Sequence, residues 1–103
     1  MAEYIFAYHG GKAPESPEEG AKVMQAWMTW IEKSGSAMKD PGKPAGMSKT
    51  VSSGGVSNDG GANPISGYTI VNAGSIDEAI EIAKGCPILD DGGSVEVAEL
   101  MEM

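Results

Sequence analysis

Few side chains in this sequence could do chemistry near neutral pH. His9 is the only histidine, placed after Tyr4-Ile5-Phe6-Ala7-Tyr8 and directly before Gly10-Gly11. With an ordinary pKa of about 6.5, an imidazole there suits a general base. It is equally a polar residue closing a strand. Asp59, within Asn58-Asp59-Gly60-Gly61, could orient such a histidine through its second ring nitrogen. The same four residues are what a loop uses for left-handed backbone and side-chain-to-backbone bonds. Tyr8, Ser66 and Tyr68 could present hydroxyls to a ligand, although burial with one satisfied hydrogen bond accounts for the tyrosines as well.

Other chemistries find less support. Trp27 and Trp30, with Met24 and Met28, could line an aromatic pocket or form core and interface. Cys86 is the only cysteine, with Lys84 the nearest base. Nothing there lowers a thiol pKa toward nucleophilic use, so a structural cysteine is expected. One histidine and one cysteine, without HxxxH or CxxC spacing, give no metal site, and Asp90-Asp91 read most simply as a turn. The glycine pairs match neither a GxGxxG nor a phosphate-loop pattern, so no nucleotide cofactor is expected.

Seven lysines, no arginine and fifteen acids leave a net charge of −8. That charge is repelled by phosphate backbones and anionic lipid surfaces, which argues against nucleic acid and membrane partners. Without arginine there is no bidentate clamp for phosphate or carboxylate. A lone cysteine, no signal-like start and no apolar run long enough for a bilayer lead us to expect a cytoplasmic protein. The 103 residues fit one domain with a modest core, a size at which a partner chain helps.

The elements that must position these residues can be read from pattern. Residues 3–8 form a β-rich run ending at the glycine pair. Ser16 with Glu19 makes a capping box with Pro17 at the first helical position, and Val23, Trp27, Trp30 and Ile31 make one stripe. Gly35 closes that helix. Residues 35–46 read as a loop, Met47–Ser52 as a short strand, and Val56-Ser57 as its brief hairpin partner after Gly54-Gly55. Residues 65–72 are the best central strand. Ser75 with Glu78 is a second capping box, and its helix stops at Gly85 before Pro87. A last strand is expected over Ser94–Met101.

The order β-α-β-β-α-β predicts an α+β, ferredoxin-like antiparallel sheet with both helices on one face. Adjacent apolar residues, as from Tyr68 to Val71, suggest that both sheet faces are covered. A second copy of the same sheet is the simplest cover, so a homodimer is expected.

Several segments then resemble the YCII-related family, in its DGPF branch: the start MAEYIFAYHGG, the SPEE-led helix and the ending VEVAELMEM. Asp59-Gly60 stands where that branch carries Asp-Gly-Pro-Phe, and Ser66-Gly67-Tyr68 where it carries Gly-Gly-Tyr. Gly61-Ala62 replaces the Pro-Phe pair. The resemblance spans nearly the whole chain and implies a single domain, 1–103, with a dimeric α+β barrel fold. For function we expect a small organic molecule bound in a cleft between sheet and helices. A few members of this fold act on cyclic or aromatic compounds with a His-Asp pair; their histidine falls in the first helix, which has none here. Two functions are therefore carried forward: a small-molecule binding protein, and a lyase or isomerase-type acid-base enzyme using His9 and Asp59.

Overall fold

In the computed structural model, which describes residues 1–102, eight regular elements follow one another. They are β1 (Ala2–His9), α1 (Pro17–Ser34), β2 (Met38–Asp40), β3 (Thr50–Ser52), β4 (Gly55–Ser57), β5 (Ile65–Ala73), α2 (Ile76–Ala83) and β6 (Ser94–Leu100). Met103, the end of the VEVAELMEM segment, lies outside the described residues. Strands β2, β5, β1 and β6 form one sheet in that order, with antiparallel pairing throughout. With two helices on one face, this is a small α+β fold consistent with the ferredoxin-like arrangement. No described helix is long and apolar enough to cross a membrane.

Alternation along the strands decides what meets the helices. Tyr4, Phe6 and Tyr8 of β1 lie beside Val71, Thr69 and Gly67 of β5, and all six are buried. Trp30 of α1 stacks near Phe6, with ring centroids 6.3 Å apart, and its indole N–H donates to the Ile82 carbonyl at 3.0 Å. Ala79 and Ala83 bring α2 down onto the same layer. Each large apolar side chain buried here contributes about 1.5–3 kcal/mol. Both serine caps form: Glu19 N–H donates to Ser16 Oγ and Glu78 N–H to Ser75 Oγ, while the two carboxylates reach one residue further back and accept from Glu15 N–H and Gly74 N–H.

The second sheet strand corrects the sequence expectation. It falls at Met38–Asp40, inside the segment read as a loop, and Met47–Ser52 supplies only β3 of a separate hairpin with β4. The prolines explain the difference. Pro41 and Pro44 cut the pattern short, yet the chain between them keeps running along β5. Tyr68 N–H donates to the Lys43 carbonyl at 3.3 Å and Ala45 N–H to the Ser66 carbonyl at 3.0 Å. Gly42 makes this close approach feasible: its φ is +74°, and a Cβ there would lie 1.7 Å from the Tyr68 carbonyl oxygen.

Candidate functional site

The candidate residues separate into two groups, one around His9 and one around a cavity. Counting from the buried set, Ala7 and His9 of β1, and Glu96 of β6, lie on the face without helices. There His9 Nε2 donates to Glu96 Oε1 at 2.9 Å. Its Nδ1 lies 3.1 Å from the Asn63 carbonyl oxygen and 3.3 Å from that of Pro64. Every partner of the ring is an acceptor, so only the imidazolium satisfies both nitrogens. The Glu96 hydrogen bond accordingly raises the His9 pKa above its ordinary value, against a smaller opposing effect of burial.

Asp59 is not among the partners of His9. Its Oδ1 accepts from Gly61 N–H at 3.1 Å, and its carbonyl accepts from the Thr50 hydroxyl at 2.7 Å. These bonds close its own loop against the start of β3.

On the helix side, a cavity of about 460 Å³ opens between α1, the 41–44 segment and the start of β5. That volume suits a small organic ligand. Val23, Met24, Trp27 and Ile31 of α1 form one wall, and Pro41–Pro44 with Ser66–Tyr68 form the other. Pro14 and Ile88 close its ends. Three residues expected to contact a ligand, Tyr8, Ser66 and Tyr68, thus share one cavity, while His9 and Asp59 are not in its lining.

The Tyr8 hydroxyl is already engaged. It donates to Thr69 Oγ1 at 2.6 Å, which donates on to the Pro41 carbonyl at 2.9 Å. Burial pushes the Tyr8 phenol far above its ordinary value, so it stays neutral. Trp27 meets the Tyr8 ring edge-on at 5.3 Å and Trp30 at 5.7 Å, which fixes the aromatic wall. Ser66 differs: its hydroxyl is shielded from solvent and has no hydrogen-bond partner. Cys86 is buried behind this layer, and burial raises its thiol pKa, in keeping with a structural role. No cluster of metal-ligating residues occurs among the described residues.

Sequence reading missed the 41–44 segment, Pro14 and Ile88 as walls. The two prolines flanking Gly42-Lys43 were the available signal, since they mark rigid backbone, but nothing local shows which cavity that backbone borders.

No family model matches the chain, and no curated protein matches it. Among solved structures, it is similar to 5-chloro-2-hydroxyhydroquinone dehydrochlorinase (TftG) from Burkholderia phenoliruptrix AC1100, in complex with 2,5-dihydroxybenzoquinone. The TM-score is 0.58 at 16% identity, covering 100% of this chain and 96% of that one. The likeness is one of fold, and it extends over the whole chain.

Proposed function

We propose that this chain is a YCII-related protein that binds a small organic ring compound in the cavity between α1 and the β5 edge, as a homodimer. The observation that carries the reading is the cavity itself: a ligand-sized space with aromatic and aliphatic walls and an unpartnered serine hydroxyl in its lining. The dehydrochlorinase of similar fold is complexed with 2,5-dihydroxybenzoquinone, which supports a ring of that size. Isothermal titration with a panel of substituted benzenes and quinones tests it. One saturable site per chain is expected, lost in Gly20→Leu, which fills the cavity from α1. Absence of saturable binding across the panel would remove the proposal.

The acid-base alternative has weaker support. A general base needs a free ring nitrogen within reach of the substrate, whereas both His9 nitrogens are engaged and the cavity lies elsewhere.

A further inference from the structure

The charges around the cavity are not those of the molecule. The chain carries fifteen acids, yet no Asp or Glu lines the cavity, and Lys43 is its one fully charged residue. Lys12, Lys39 and Lys84 are paired with Glu15, Glu3 and Glu81. Among the described residues Lys22, Lys33, Lys43 and Lys49 have no carboxylate partner, and of these only Lys43 lines the cavity. The acid nearest to it in the segment, Asp40, accepts from Gly42 N–H at 2.9 Å.

We infer that the ring compound held in this cavity carries an ionised oxygen, a phenolate or carboxylate, which Lys43 neutralises at the cavity rim. The inference rests on the binding role proposed above and adds the ligand's charge.

The backbone of Lys43 is tied to β5 through its carbonyl and bracketed by Pro44 and Gly42. Its four-carbon stem can therefore swing from a fixed origin toward whatever occupies the space. Apolar walls reduce solvent screening, so a charge-assisted hydrogen bond from the ammonium to a ligand oxygen is stronger than the same bond in water. The overall charge of −8 opposes an anion only weakly, because acids beyond about 8 Å are screened at physiological salt. A single lysine without any arginine matches one oxygen anion better than a phosphate, which favours several donors and bidentate contact. Ser66 offers the second polar contact. Its hydroxyl lacks a partner, and rotation about its Cα–Cβ bond redirects it at little cost.

Calorimetric titration of the full chain with matched pairs tests this: benzoate against benzamide, and 2,5-dihydroxybenzoquinone against its neutral dimethyl ether. The charged member of at least one pair should bind roughly 3–10-fold more tightly at low salt. Whichever pair shows it identifies carboxylate or phenolate. The preference should shrink with added salt, vanish in Lys43→Gln and return in Lys43→Arg. If neutral rings bind but no anion preference exists, or the preference survives Lys43→Gln, the assignment of charge is overturned and the cavity's binding role stands. If no ring of either charge binds, both fall.

Discussion

At the scale of single residues, His9 changed meaning most. Its place before two glycines left a general base and a polar strand end equally open, whereas its contacts surround the ring with acceptors and raise its pKa. A group whose folded pKa is raised stabilises the fold fully below its unfolded value, near 6.5, and loses that contribution as pH rises through the folded value. Wild-type stability should therefore decline above about pH 6.5 from this pair. In Glu96→Gln that decline should flatten, with the two melting curves converging at alkaline pH. Thermal melts across that range check it, and a gap that widens on the alkaline side would refute the pairing. Ser66 makes the opposite kind of prediction. A buried hydroxyl without a partner is a cost in the empty protein, so Ser66→Ala should raise stability by up to about 1 kcal/mol. The same variant should weaken ring binding, because the polar contact is gone.

At the scale of elements, local signals were legible where one residue decides a boundary. The Ser16-Glu19 and Ser75-Glu78 boxes placed both helix starts, since the cap bonds depend only on neighbouring residues. The aromatic stripe on α1 was legible too, with Trp30 in the core and Trp27 reaching the cavity. Strand β2 was not. Three residues followed by Pro41 carry no strand pattern, and only hydrogen bonds to β5, far along the chain, make the segment extended. The candidate site divided likewise. Tyr8, Ser66 and Tyr68 fall on adjacent strands and could be grouped from topology, but a His9–Asp59 pairing depends on loop geometry that spacing does not encode. Gly42 tests how much the cavity depends on this edge. In Gly42→Ala the new Cβ would meet the Tyr68 carbonyl oxygen, at a backbone φ that L side chains rarely adopt. The edge must then peel from β5, with a stability loss of about 2–3 kcal/mol and a larger loss of ring affinity, measured by denaturant titration and calorimetry. Unchanged binding would show that the 41–44 wall plays no part.

At the scale of the whole molecule, the single chain leaves too much uncovered. A compact chain of this length has a radius of gyration of about 13 Å, against 14.8 Å here, and the molecule is a slab 43 × 43 × 18 Å. Two features of its surface stand out. The β3–β4 hairpin stands out with every residue exposed, its paired Val51 and Val56 at 78% and 63%, although an isolated two-stranded hairpin is only marginally stable in water. The face without helices carries Ile5, Ala7, Ile70 and Ala98 on neighbouring strands, the first three half-buried and Ala98 exposed. A second copy packed face to face, each sheet covering the other, would bury that stripe and offer the hairpin a surface, which is the arrangement proposed for the homodimer. Ala98 is the position that separates the folded chain from its assembly. It is already exposed in one chain, so Ala98→Lys should alter monomer stability by no more than about 0.5 kcal/mol. In a dimer the same lysine places an unpaired charge inside an apolar contact, a cost of several kcal/mol. Sedimentation at micromolar concentration should give wild type at twice the 10.6 kDa chain mass and Ala98→Lys at one chain mass with unchanged circular dichroism. A wild type that sediments as a single chain would end the dimer proposal, and would leave the hairpin and the bare sheet face waiting for a different partner.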